Sequence, residues 1–115
     1  MFKRSVITDE ISQDLGEAAA LAREFRLEGV ELRNLWGQRV DQIDDEAAKR
    51  ASDVLQESGF VVAAVASPFL KCNLDDAAQY RDHLEILRRS IRMARHFGTS
   101  IIRCFTFWRD DRPLE

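Results

Sequence analysis

Apolar residues recur at intervals of three and four positions in three segments of the chain, which is the period of an amphipathic helix. In chain order the stripes are Leu15, Ala18, Ala22 and Phe25; Ile43, Ala47, Ala51, Val54 and Leu55; and Tyr80, Leu84, Leu87, Ile91 and Ala94. Runs rich in β-branched and other apolar residues flank these segments and predict strands over residues 5–11, 30–35, 61–67 and 100–107. The pattern therefore predicts that strands and helices alternate along the chain.

A glycine follows each helical segment or lies close to its end, at Gly29, Gly59 and Gly98. Glycine readily adopts the left-handed conformation found just past helix ends. Repetition of strand and helix in this order is typical of a parallel sheet with helical crossovers. We predict an α/β fold: a partial (β/α) TIM-type barrel with four parallel strands in the order 1-2-3-4 and three helices. An open doubly wound sheet, whose strand order reverses direction, is the alternative.

The size and charge of the chain narrow the classes of partner. The 115 residues fit one domain, and 17 basic against 20 acidic residues give a net charge of -3. This mild acidity gives no reason to expect a nucleic acid or an anionic membrane as partner. No apolar run approaches the roughly 18–20 residues of a membrane span, and no signal peptide is recognisable. Cys72 and Cys104 lack a CxxC partner, which predicts reduced thiols in a cytoplasmic protein.

Charged side chains occupy alternate positions of the second predicted strand. Glu31 and Arg33 alternate with Val30 and Leu32, and successive side chains of a strand point to opposite faces. The apolar pair is predicted to face the helices, so the charged pair points into the barrel. A glutamate–arginine set at this place is compatible with a structural salt-bridge network and with a substrate-binding site.

Other charged residues lie where the remaining predicted strands end. This position matters because the active site of a (β/α) barrel lies at the C-terminal ends of its strands. Glu10 ends the first strand, with Asp9 on the opposite face. Lys71, in the loop after the third strand, is placed to reach a phosphate or carboxylate, or is an ordinary solvated lysine. The candidate substrate-binding residues are Glu10, Glu31, Arg33, Lys71 and Arg103.

The sequence offers no recognisable catalytic or metal-binding motif. HExxH, GxGxxG, the P-loop and GxSxG are all absent. His83 and His96 lie 13 positions apart on the third predicted helix, which is more than three turns, so they cannot share one metal ion. We therefore assign no catalytic residue and no metal ligand to this segment.

Four short segments, in order and at strand–helix spacing, resemble the opening half of sugar phosphate isomerase/epimerase proteins. They are Thr-Asp-Glu-Ile-Ser at 8–12, Gly-Val-Glu-Leu-Arg at 29–33, Ser-Pro-Phe-Leu-Lys at 67–71 and Ile-Arg-Cys-Phe-Thr-Phe at 102–107. That family belongs to the xylose isomerase-like TIM barrels. The resemblance implies that residues 1–115 are the N-terminal half of such a barrel.

The resemblance also implies an activity for the whole barrel. A divalent metal, Mn²⁺ or Mg²⁺, would polarise neighbouring carbonyl and hydroxyl oxygens of a sugar or polyol. A carboxylate would move a proton next to the carbonyl, which isomerises or epimerises the substrate. Because the principal metal ligands come mainly from later strands, Glu31, Arg33, Lys71 and Arg103 are expected to line the pocket only. The 115-residue piece alone is expected to be inactive.

Two alternatives to an enzyme half remain open. A half-barrel leaves its first and last strands as open edges, so the chain is expected to form a homodimer or to pair with a C-terminal half-barrel. A non-catalytic, self-associating half-barrel would meet this need without any enzyme activity. An open α/β module that binds a phosphorylated ligand is the other alternative.

Overall fold

The computed structural model describes residues 2–113 of the chain. In chain order the elements are β1 (Ser5–Ile7), α1 (Leu15–Glu24), β2 (Gly29–Leu32), β3 (Asn34–Leu35), β4 (Gln38–Arg39), α2 (Asp45–Ser58), β5 (Val61–Ala66), α3 (Ala77–Phe97) and β6 (Ile102–Arg103), with a 3-10 turn at Thr8–Glu10. Strands β1, β2, β5 and β6 form one parallel sheet in that order. The predicted α/β class, the three helices and the sequential parallel order are confirmed. Residues 2–113 form no closed barrel.

The core lies between the sheet and the helices. Val30, Leu32 and Val65 are fully buried and cluster with residues of the helices, such as Ala22 and Met93. Sequential parallel strands joined by right-handed crossovers place every crossover helix on the same side of the sheet. The opposite face of the sheet is therefore left without a helix in the described part of the chain.

Charged residues lie on this helix-free face, as the alternation predicts. Glu31 pairs with Ala64 across the sheet, and Arg103 pairs with Ala66. Glu31 falls between the buried Val30 and Leu32, so it projects from the other face.

The strands are shorter than the apolar runs predict. After Ile7 the chain closes a 3-10 turn, in which Thr8 accepts hydrogen bonds from the Ile11 and Ser12 backbone. The run at 30–35 is divided: β2 ends at Leu32, and β3 then pairs with β4 as an antiparallel hairpin. Its two turn residues, Trp36 and Gly37, both have positive φ, the conformation that two-residue hairpin loops favour. The hairpin is absent from the sequence-based prediction.

The helices begin at aspartates that bond the free N–H groups of the first turn. Asp14, Asp44 and Asp76 cap α1, α2 and α3. Two members of the predicted stripes lie outside the core, because Phe25 follows the end of α1 and is 66% exposed, and Tyr80 is 43% exposed.

Two further observations concern membranes and thiols. None of the helices in residues 2–113 has the apolar length that crossing a bilayer requires. Cys72 is buried and Cys104 is exposed, and both are free thiols.

Candidate functional site

A cleft of about 250 Å³ opens at the C-terminal ends of β2, β5 and β6. Four of its lining residues are cations. The lining residues are Arg33, Asn34, Arg39, Ala66, Pro68, Lys71, Arg103 and Phe105. Three adjacent strands and the hairpin thus bring their basic side chains to one rim.

Arg33 is held by two carboxylates that follow β1. Its Nε and Nη2 donate to Asp9 Oδ2 at 2.9 and 2.8 Å, and Nη2 also donates to Glu10 Oε1 at 2.7 Å. The Asn34 backbone N–H donates to Asp9 Oδ1 at 3.2 Å. The Asp9 side chain is only 3% exposed, so this carboxylate is a buried anchor that fixes Arg33 beside the cleft.

The surroundings of Asp9 favour its ionised form. Burial acts to raise the pKa of the Asp9 carboxyl, but hydrogen bonds from Arg33 and Asn34 and the charge of Arg33 outweigh it, so this pKa is lowered. The hydrogen bond to Asp9 raises the pKa of Arg33 against its own desolvation, with support from Glu10. The charge of Arg33 is therefore largely balanced by its two neighbours.

Arg39 reaches the same rim from the hairpin and is paired with Asp41. Arg39 Nε and Nη2 donate to the two oxygens of Asp41, both at 3.0 Å. Arg89 of α3 donates from Nε and Nη2 to Asp41 Oδ2 at 3.2 and 2.9 Å. The Asp41 side chain is fully buried. This bidentate pairing ties the hairpin to α3 and gives Arg39 a fixed position.

Lys71 and Arg103 differ from the two anchored arginines. Neither forms an ion pair with a carboxylate of residues 2–113. The Arg103 guanidinium lies 4.5 Å from the centre of the Phe105 ring and donates to the Ala66 carbonyl at 3.2 Å. The Lys71 ammonium lies 5.4 Å from the ring centres of both Phe105 and Trp108. Aromatic faces attract these cations without neutralising them.

The loop that carries Lys71 is bonded to the segment after β6. Phe105 N–H donates to the Phe69 carbonyl at 2.8 Å, and Trp108 N–H donates to the Cys72 carbonyl at 2.8 Å. The buried Ser67 hydroxyl accepts from the Phe69 N–H and donates to a backbone carbonyl of β6. The aromatic rings and the two cations are therefore held by one backbone framework.

The structure brings together three of the five candidate residues. Arg33, Lys71 and Arg103 line the cleft. Glu10 is 59% exposed and does not line the cleft, but its carboxylate pairs with Arg33. Glu31 lies outside the lining: its Oε1 accepts from the Ser5 hydroxyl at 2.9 Å, at the start of β1.

Sequence reasoning missed three polar residues of the site. Asp9 was placed on the opposite face from Glu10, but the 3-10 turn after β1 lets both carboxylates meet Arg33. Arg39 and Asn34 were missed because the hairpin was missed. Gly37, just after an apolar strand pattern, is the signal that could have indicated it.

A second cleft of about 330 Å³ lies at the other end of the sheet, near the start of β5. Its lining is mostly apolar, and its polar contact is between Ser52 Oγ and His96 Nε2 at 2.9 Å. It has no charged cluster, and it lies at the opposite end of the sheet from the carboxyl ends of the strands, where parallel α/β sheets bind their ligands. The smaller cationic cleft is therefore the better candidate for binding.

The cleft has the chemistry of an oxyanion site. Guanidinium and ammonium groups are the usual partners of phosphate and carboxylate. In residues 2–113 no group of three His, Cys, Asp or Glu side chains is placed together as metal ligands would be. The expectation that metal ligands come from later strands stays a prediction.

Comparison with protein-family models finds no matching family. Comparison with curated proteins likewise finds no match.

Proposed function

We propose that this chain is the N-terminal half of a xylose isomerase-like (β/α) barrel from a divalent-metal-dependent sugar or sugar-phosphate isomerase or epimerase. Its part in the reaction is to bind the anionic end of the substrate in the cationic cleft. The metal, when bound, polarises the carbonyl oxygen of the substrate, and no residue described here is assigned to it. The 115-residue chain alone binds without catalysing.

The sheet order supports the barrel part of this proposal. Four parallel strands in sequential order with all helices on one side are what the first half of a barrel requires. A doubly wound sheet would reverse its strand order and place helices on both faces. The cleft also lies at the strand ends where barrel enzymes bind their substrates.

The binding part of the proposal depends on which cations of the cleft already have a carboxylate partner. Arg33 and Arg39 are matched by Asp9 and Asp41, whereas Lys71 and Arg103 form no ion pair with a carboxylate of residues 2–113 and instead lie against aromatic rings and, for Arg103, a backbone carbonyl. An oxyanion between these two groups gains charge-assisted hydrogen bonds of about 1.5–3 kcal/mol each. Two such bonds correspond to a dissociation constant of order millimolar.

Titration of the labelled chain with inorganic phosphate by NMR tests the binding. We expect saturable chemical-shift changes at the backbone amides of the loop after β5 and of β6. Lys71→Ala or Arg103→Ala should weaken binding about tenfold or more. Lys49→Ala is the matched control, since Lys49 lies on α2 and pairs with Asp53; it should leave binding unchanged.

The chemical class of ligand is tested by comparing a hexose 6-phosphate with the free hexose. The phosphate ester should bind and the free sugar should bind far more weakly. Equal weakening by Lys49→Ala, or shifts spread over the whole surface, would show non-specific anion binding and would reject the proposal.

A self-associating half-barrel is a second candidate. It is favoured by the helix-free sheet face and by β1 and β6, which are the open edges of the sheet in residues 2–113. Light scattering coupled to size-exclusion chromatography, together with the phosphate titration, distinguishes this candidate from the enzyme half. A stable dimer that binds no phosphate supports the self-associating half-barrel, and a monomer excludes it.

A further inference from the structure

The loop after β5 presents Lys71 through a strained residue. Leu70, directly before Lys71, has a φ of +64°, in the left-handed region that a leucine rarely adopts. This conformation sets the direction of the chain at Lys71, whose N–H donates to the Pro68 carbonyl at 2.9 Å. A strained conformation of this kind persists only where its surroundings hold it.

A hydrogen bond to a histidine ring holds Leu70 in this conformation. The Leu70 N–H donates to Nδ1 of His83 at 2.9 Å, and His83 is half-buried on α3. The carbonyl groups of Phe69, Leu70 and Cys72 accept hydrogen bonds from the segment after β6. The histidine bond instead connects Leu70 directly to the long helix.

The identity of the donor fixes the state of the ring. A backbone N–H can only donate, so Nδ1 of His83 must be unprotonated and act as the acceptor. The imidazole is therefore neutral, with its proton on Nε2. An imidazolium, with both nitrogens protonated, could not form this bond.

We infer that His83 is the positioning residue of the anion site: its neutral imidazole holds Leu70 left-handed and thereby directs Lys71 into the cleft. This inference rests on the proposed anion binding by Lys71 and Arg103. His83 itself does not touch the ligand. Without the acceptor, the loop populates other conformations, and the apparent affinity falls by the fraction of chains in which Lys71 is in place.

Three substitutions separate the acceptor from the bulk of the ring. In His83→Asn the amide oxygen stands at the same number of bonds from the backbone as Nδ1, so the bond to Leu70 is kept. In His83→Gln the amide oxygen is one bond further from the backbone, and in His83→Leu the side chain has no acceptor. Phosphate affinity, followed by NMR, should stay within about twofold of wild type for the asparagine variant. It should fall about fivefold or more for the other two.

Restoring the loop by a second route gives an independent check. Glycine adopts the left-handed conformation without strain, so Leu70→Gly in the His83→Leu background should recover part of the lost affinity. In the wild-type chain, the ¹⁵N shifts of the imidazole should show an unprotonated Nδ1 and a protonated Nε2. This spectroscopic readout does not depend on whether any variant folds.

The outcomes distinguish this inference from the proposed function. If the wild-type chain binds phosphate through Lys71 but the glutamine and leucine variants bind equally well, the positioning role is wrong and the anion site stands. A protonated Nδ1 in the wild-type chain also overturns the positioning role. If the wild-type chain does not bind phosphate at all, both fail together.

Discussion

Removal of the Asp41 carboxylate should destabilise the whole fold, because this buried group links the hairpin to α3. Its side chain has no exposed surface and accepts four N–H bonds of 2.9–3.2 Å from Arg39 and Arg89. The two arginines lie on elements that are 50 positions apart in sequence (39 and 89), so the contact closes a long loop. Asp41→Ala leaves both guanidinium groups without their partner.

The expected loss is intermediate between that of an exposed and a buried ion pair. Breaking a fully buried pair by removing one partner costs about 3–5 kcal/mol. Here the arginine side chains are 38% exposed, so water rehydrates part of their charge. We expect Asp41→Ala to lower the free energy of unfolding by about 2–3 kcal/mol, which for this length lowers the Tm by about 8–12 °C.

Urea unfolding followed by circular dichroism measures this loss. The matched control is Asp53→Ala, which removes an exposed carboxylate 2.9 Å from Lys49 on α2 and should cause no measurable change. Arg39→Ala and Arg89→Ala share the Asp41 acceptor, so their effects should not add in the double variant. A loss for Asp41→Ala no larger than that of the control would refute the reasoning.

Three further predictions concern single groups. The pKa of Asp9 is lowered in the folded chain, so its ionised carboxylate stabilises the fold fully only at pH values above the ordinary pKa of 3.8. The stability advantage of wild type over Asp9→Asn, measured by urea unfolding at several pH values, should shrink as the pH falls through the pKa of the folded chain. The buried hydroxyl of Thr8 has no hydrogen-bond partner among residues 2–113, so Thr8→Val should raise the free energy of unfolding by about 1 kcal/mol in the same assay. Burial, with the nearby Asp76 charge, raises the pKa of Cys72, so a thiol reagent should modify the exposed Cys104 rapidly and Cys72 only as the chain unfolds.

The sequence predicted the elements of this fold better than their ends. The helical stripes located α1, α2 and α3, and the left-handed Gly59 and Gly98 marked the ends of α2 and α3, because both signals are local properties. The expectation for Gly29 was wrong: it lies in β2, and the left-handed residue after α1 is Arg26. Strand ends depend on partners that the sequence does not show. β6 has only two residues because the chain beyond Arg103 bonds to the loop after β5 instead of to a strand.

Three of the candidate site residues were predicted to lie near one another, and they do. Arg33 and Lys71 follow β2 and β5, Arg103 ends β6, and neighbouring parallel strands bring their C-terminal ends to one edge. Glu31 was grouped with them by its alternation alone. Alternation gives the face of a sheet but not the distance along it, and Glu31 bonds to Ser5.

The sequence alone determined the class of fold, the alternation of strands and helices, and the basic residues near the strand ends, since these depend on local periodicity. The folded sheet decided between the sequential strand order and the reversed order of a doubly wound fold. Only the tertiary structure decided which charges are neutralised and which remain available. Asp9 and Asp41 reach Arg33 and Arg39 through a 3-10 turn and a hairpin that no periodic pattern indicates. Ion pairing is set by distances of a few ångströms between distant segments, and those distances exist only once the chain has folded.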